Sequence, residues 1–245
     1  MSKPLKVGSL IENTLAPDRL GSLLGLVALK IKTRLIGIKE FFKTAFLYYG
    51  NTKFMKSDLS LMGMYLFNSP YSISKRFLEE QGDKNIYAYG ETPLDTMEKI
   101  VRECGISSAD HVFELGSGRG RVCFWLNTVL GAKVTGIDNV PAFIERAEKI
   151  RHKLGMEGVH FVLGDFLTAP LNGGTVYYLF GSALEEEFLG KMAKRFEELP
   201  KGTRFVTISF PLTDYTKPGS FEVMKRFPVT FPWGETDAYL QIKKK

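Results

Sequence analysis

The run Glu114-Leu115-Gly116-Ser117-Gly118-Arg119-Gly120 sets one acid before three glycines at alternate positions. Glycines so spaced let a chain turn tightly and let a ligand touch bare main chain. Asp138, followed by Asn139, comes 18 residues after Gly120. A carboxylate at that distance ends the next strand of a parallel sheet and accepts both hydroxyls of a ribose. A third feature is Gly164-Asp165-Phe166. A carboxylate beside an aromatic ring suits an adenine, one accepting from the exocyclic amine while the other stacks. The dinucleotide pattern G-x-G-x-x-G fails, because its last position falls on Arg121, and no GK[ST] follows to make a P-loop. The three features in this order point to S-adenosylmethionine (SAM).

The elements that must position these groups follow from periodicity and punctuation. Thr92 is the expected N-cap of a helix with Pro93 first and Asp95 third, ending at Cys104-Gly105. Strands are expected at His111–Leu115, Lys133–Ile137, Val159–Leu163, Thr175–Phe180 and Arg204–Phe210. Helices at Gly120–Leu130, Pro141–Leu154 and Leu184–Leu199 alternate with them, the first two closed by Gly131 and Gly155. Extended segments at Phe221–Phe231 and Thr236–Lys243 flank Pro232-Trp233-Gly234 and predict a closing antiparallel hairpin. The sum is an α/β, Rossmann-like, mostly parallel seven-stranded sheet behind a helical N-terminal segment.

Composition sets the outer bounds. Apolar residues make up 44% and charged residues 24%, which excludes disordered, collagen-like and disulfide-stapled chains. Two cysteines make no framework, no Cys/His cluster suggests zinc, and a reducing, cytoplasmic setting is expected. No apolar run reaches the ~18–20 residues that span a bilayer, and no secretory pattern opens the sequence. The net charge of +6 is unevenly placed: residues 1–88 hold 13 basic and 7 acidic side chains, and the remainder balances. This predicts a boundary, with a basic helical segment over 1–85 and the sheet domain over 86–245.

Leu24, Ala28, Ile31, Leu35, Ile38, Phe42, Ala45 and Tyr49 share one helical stripe, flanked by Lys30, Lys32, Arg34, Lys39 and Lys43. Three partners suit it: the rest of the protein, a second copy in a homodimer, or an anionic membrane met by residues 20–50. Nucleic acid is the least expected partner. Two short helices are expected over 54–80, broken at Asn68-Ser69-Pro70 and without chemistry.

With those residues in view, residues 86–212 resemble a class I SAM-dependent methyltransferase. More narrowly they resemble the Dot1-like and FAM173-type protein-lysine methyltransferases. The matching stretches are Tyr89-Gly90-Glu91-Thr92, Leu115-Gly116-Ser117-Gly118-x-Gly120-x-Val122, Gly164-Asp165-Phe166-Leu167, and Arg195-Phe196 with Gly202-x-Arg204-x-Val206. The resemblance implies that Tyr89, Gly90, Glu91 and Thr92 close over the methionine part of SAM. Glu114, Gly116, Ser117, Gly118 and Gly120 would line methionine and ribose. Asp138 and Asn139 would bind the ribose, and Gly164, Asp165 and Phe166 the adenine. Where Dot1-like enzymes carry paired asparagines after the fourth strand, this chain reads Tyr178-Leu179-Phe180-Gly181, which points away from histone.

An attacking lysine must be neutral, and an apolar channel lowers its pKa by desolvation. Tyr89, Tyr178, Phe180 and Phe210 are the residues expected to line that channel, with Glu91 beside the cofactor. Catalytic weight falls on Tyr89, Glu91, Tyr178 and Phe180, and His111, His152 and His160 are expected to be structural. Other readings are a small-molecule or lipid methyltransferase and a non-catalytic interaction protein.

Overall fold

Strands β1 (His111–Leu115), β2 (Lys133–Asp138), β4 (Val176–Phe180) and β5 (Arg204–Ile208) are buried at nearly every residue. Parallel strands covered on both faces must be. Strand β3 (Val159–Leu163) lies at the sheet edge and exposes His160 and Leu163. With β6 (Phe221–Phe231) and β7 (Gly234–Lys243) they form one sheet in the order β3-β2-β1-β4-β5-β7-β6. Strands β1 to β5 run parallel, and β7 is antiparallel to both β5 and β6. The computed structural model describes residues 37–245 apart from 84, 88 and 181–183. The expected stripe before residue 37 lies outside the described residues.

Side chains alternate across the sheet. Val176 and Tyr178 join one apolar cluster while Tyr177 and Leu179 join the other. The first cluster holds helix α4 (Leu94–Cys104), α5 (Arg121–Trp125) and α6 (Pro141–Lys153) against the sheet. Helix α7 (Glu186–Phe196) packs Leu189, Met192, Ala193 and Phe196 into the second. Helix α5 runs into a π-helical turn over Leu126–Leu130, which Gly131 ends in the left-handed conformation.

The hairpin turn overhangs the carboxyl edge of the sheet. Ile208 of β5 pairs with Ala238, so β7 begins several residues beyond it, and Ser209 N–H donates to Asp237 O. Phe180, Phe231 and Trp233 stack nearly parallel there, with centroids 4.8 and 5.4 Å apart.

Three further helices precede the sheet: α1 (residues 37–48), α2 (Thr52–Met64) and α3 (Pro70–Glu80). Asn51 and Ser69 cap α2 and α3 through side-chain oxygens, and Pro70 opens α3. Tyr48, Phe54, Leu61, Tyr65 and Ile73 share the apolar cluster of α4, α5 and α6. The face of α1 differs from expectation: Thr44 and Tyr48 turn inward, while Ile38 and Phe42 are exposed. Apolar residues surround this helix, and its polar anchors select the docked face: Tyr48 Oη donates to Glu98 at 2.8 Å, and Lys43 pairs with Asp95.

The start of α4 also differs. Helix α4 begins at Leu94 with Pro93 in the cap position and no capping side chain. Thr92 Oγ1 is instead 2.6 Å from the Tyr178 hydroxyl. A helix expected over Leu184–Leu199 is the shorter α7, and β5 stops at Ile208 because Ser209 takes φ 76°.

Asp58 of α2 accepts from Arg121 Nε at 2.7 Å and Nη2 at 3.0 Å, while Tyr49 Oη donates to it at 3.1 Å. Asp58 is fully buried, and removing one partner of such a pair costs about 3–5 kcal/mol. Asp58→Ala is therefore expected to lower unfolding free energy by about 3 kcal/mol; urea unfolding followed by tryptophan fluorescence measures it.

Candidate active site

Strand β1 lies between β2 and β4, so its following loop opens a crevice at the carboxyl edge. The glycine loop fills that place. Gly116 N–H and Ser117 N–H both donate to Ile137 O of β2, at 2.9 and 3.0 Å. Gly118 holds φ 53°, and a Cβ there would lie 3.1 Å from the Tyr89 ring. A side chain would meet both backbone strain and that ring. Gly120 is closer still, since a Cβ would sit 2.5 Å from Phe161.

Asp138 joins three strand ends. Its carboxylate accepts from Gly118 N–H at 2.8 Å and Val140 N–H at 2.9 Å, and its carbonyl accepts from Gly164 N–H at 3.0 Å. A carboxylate has about four acceptor positions, so two remain for a pair of hydroxyls. Burial raises its pKa, opposed by the main-chain amides of Val140, Gly118 and Asn139. Asn139 itself is exposed.

Glu114 is buried and accepts from the Cys123 thiol at 2.9 Å. Burial, opposed by that thiol and aided by the charges of Asp138 and Glu91, pushes its carboxyl up to about 8. Glu91 is in a different position. Arg119 holds it bidentately at 2.7 and 2.8 Å, and Tyr89 Oη donates to it at 2.6 Å. Burial would raise the Glu91 carboxyl, but the guanidinium and phenol hold it below its ordinary value.

Glu91, Glu114 and Arg119 meet in one cleft, lined also by Gly90, Ser117, Arg121, Tyr178 and Phe180, and Asp138 borders it through Gly118. Ser117 Oγ is buried with no partner among the described residues. Aromatic rings close over the loop. Phe180 packs on Gly90 and Phe166 on Gly116, while Tyr89 contacts Phe143 and Tyr71 with centroids 5.2 and 5.1 Å away.

The loop after β3 brings Phe166 to this cleft but leaves Asp165 exposed, its Oδ1 accepting from Leu167 N–H at 2.8 Å. Arg195 holds the loop through the carbonyls of Phe166 and Ala169. Phe210 is not beside the cleft. It belongs to the opposite apolar cluster and contacts Tyr215, because the chain bends after β5 at Ser209. His111 bridges Gly173 O and Thr135 Oγ1.

Sequence reasoning missed Arg119, Arg121, Asp58, Cys123 and Tyr71. The helices over 52–80 carry two of them, where no chemistry was expected. The signal is present in part: arginines flank Gly120 on both sides, and a buried carboxylate needs a cation or a proton.

Residues 106–178 match the family model of a methyltransferase domain. That stretch runs from before β1 into β4, and the chain has a Rossmann-like methyltransferase fold. No curated protein matches the sequence. Among solved structures, it is similar to an RNA methyltransferase from Salinibacter ruber in complex with S-adenosyl-L-homocysteine. That match has 23% identity, 64% of this chain, 95% of that chain and a TM-score of 0.52. A geranyl diphosphate C-methyltransferase from Streptomyces coelicolor A3(2) aligns at 13% identity, over 62% of this chain and 78% of that one, with TM-score 0.52. MtNAS in complex with MTA and tNA aligns at 14% identity, over 81% and 74%, with TM-score 0.53. At these identities the likeness is one of fold.

Glu114 generates a pH prediction for the ligand-free protein. Its folded pKa exceeds the unfolded value, so the native state holds an extra proton between about 4.5 and 8. The stability this confers is complete below that window and is lost as pH rises through it. Glu114→Gln cannot ionise. Its melting temperature relative to wild type is expected to climb from pH 5 to pH 8, by the equivalent of a few kcal/mol at most, in parallel calorimetric scans.

Proposed function

We propose that the protein is a SAM-dependent methyltransferase acting on lysine side chains of a protein. The observation that carries the cofactor assignment is the charge of the cleft. Glu114 and Asp138 are buried without a cation in contact, beside a glycine loop whose Ser117 hydroxyl is unpartnered. Such a site fits a ligand that brings positive charge and two neighbouring hydroxyls.

Asp138 and Asn139 would hold the ribose, and Gly164, Asp165 and Phe166 the adenine. Gly116, Ser117, Gly118 and Gly120 would carry the ligand on main chain, with Glu114 beneath. Tyr89, Gly90, Glu91 and Thr92 would cover its methionine end. When bound, SAM supplies an electrophilic methyl group on a sulfonium, open to in-line displacement. The chain's own work is to orient the acceptor and exclude water.

Lysine as acceptor is supported by the wall beside β4. Phe180, Phe231 and Trp233 make an aromatic surface from the cleft to the hairpin tip. The Tyr178 hydroxyl is engaged by Thr92 and Glu91 by Arg119, so these polar groups position rather than take the proton. A desolvating wall favours the neutral amine: the lysine ammonium gives its proton to water before attack, and methyl transfer to the neutral amine would leave a methylammonium. The Dot1-like and FAM173-type resemblance of Tyr89–Thr92 and Gly164–Leu167 supports the same acceptor.

A membrane-borne acceptor is the second reading, favoured by one observation. Ile38, Phe42, Phe46 and Leu47 of α1, Leu59 and Met62 of α2 and Leu66 just after it are exposed, as are Lys39, Lys53 and Lys56 of the same helices. Apolar faces beside lysines suit the surface of an anionic bilayer. No helix of the described residues is long and apolar enough to cross one.

Transfer of labelled methyl from SAM into soluble and membrane fractions of a lysate tests the function. Incorporation into protein is expected with wild type and not with Asp138→Ala; absence of labelled protein with wild type would refute a protein acceptor. Flotation with anionic vesicles tests the second reading. Phe42→Glu/Phe46→Glu is expected to reduce the floated fraction several-fold, and equal flotation would remove the membrane contact.

A further inference from the structure

Two carboxylates, Glu91 and Glu114, line the cleft and a third, Asp138, holds Gly118 of its wall; their partners differ in kind. Glu91, on the segment before α4, has a guanidinium. Asp138, at the end of β2, has two main-chain amides. Glu114, at the end of β1, has the Cys123 thiol of α5 at 2.9 Å, the weakest donor of the three, with a smaller contribution from the Cys123 main chain. The other ionisable groups facing it are Asp138 and Glu91, both acidic, and the buried Tyr178 of β4. The cations lining the same cleft are committed elsewhere, Arg119 to Glu91 and Arg121 to Asp58. Glu114 is 5% exposed, so water does not solvate its charge.

We propose that Glu114 carries a proton in the cofactor-free protein and releases it to solvent when the positively charged cofactor enters, so that SAM binding is proton-linked. This rests on the cofactor assignment above and extends it to the chain's own acid. A buried acid with a thiol and two acidic neighbours is held neutral. A cationic ligand reverses that balance, and the carboxyl ionises as it binds. Methyl transfer converts the sulfonium to a neutral thioether. Glu114 then regains its proton from solvent, and the product is held less tightly. The acid thus couples cofactor charge to retention, which main-chain contacts alone do not.

Calorimetric titration of SAM into the wild-type protein, in two buffers of different ionisation enthalpy, reads the proton count directly. Release of close to one proton at pH 7 is expected, with Kd falling up to about tenfold per pH unit between pH 6 and 7. S-adenosyl-L-homocysteine, which has the same amino-acid group without the sulfonium, is expected to release fewer. Glu114→Gln is expected to bind SAM with that release lost. SAM binding without proton release, equal release with both ligands, or release unchanged in Glu114→Gln would each overturn the proposal. If Glu114→Gln does not bind, Cys123→Ala decides. Loss of the thiol donor is expected to move the release window to higher pH, and an unmoved window excludes Glu114. Failure of the wild type to bind SAM would instead refute the cofactor assignment itself.

Discussion

Asp138 sits where three loops must agree. Its carboxylate holds the glycine loop after β1 and the start of α6, while its carbonyl holds the turn after β3. Each bond is ordinary in strength, about 1 kcal/mol net for a neutral donor and more to a charge. Their common origin on one residue gives them consequence. The crevice between β1 and β4 is a result of strand order, but its floor keeps one shape because neighbouring loops share an acceptor. The same residue is then available to a ligand without rearrangement, which is the condition for a preorganised site.

A second constraint is negative charge held away from water. The protein resolves it differently at each acid: a guanidinium for Glu91, amides for Asp138, a carboxyl pushed towards its neutral form beside a thiol for Glu114, and the Asp58–Arg121 pair behind the loop. The last of these makes α2 a neighbour of the cleft rather than a bystander. Arg121 follows Gly120 directly, so the helix that buries Asp58 also fixes the exit of the glycine loop. Tyr71 of α3, packed edge-on against Tyr89, continues that cover.

Much of the sheet was legible because its signals are local. Strands β1, β3 and β6 have the bounds that alternation and flanking turns predict, and Gly105 and Gly131 stop their helices in left-handed geometry. The motif order placed Asp138 beside Gly118 for the same reason, since parallel strands of known order put their ends side by side. What sequence could not reach depends on distant pairing. Thr92 reads as a helix cap until Tyr178, 86 residues later, takes its hydroxyl. Glu91 is expected beside the cofactor, but nothing in its own stretch announces the guanidinium of Arg119, 28 residues later, that holds it. The docked face of α1 is ambiguous in an apolar helix and is settled by Glu98 and Asp95 of α4. Phe210 lies beyond a single left-handed residue, Ser209, that no propensity announces.

The overhanging hairpin has a consequence for how the molecule comes into being. The five parallel strands and their helices precede Phe221 in the chain, and they can pair and bury their core as they emerge from a ribosome. Phe180, however, gains its stacking partner only when Phe231 and Trp233 have been made and β7 has turned back along β5. The wall beside the cleft is thus the last part to be assembled. A nascent chain stalled before that point holds its glycine loop and Asp138 in sequence but presents an open side to solvent.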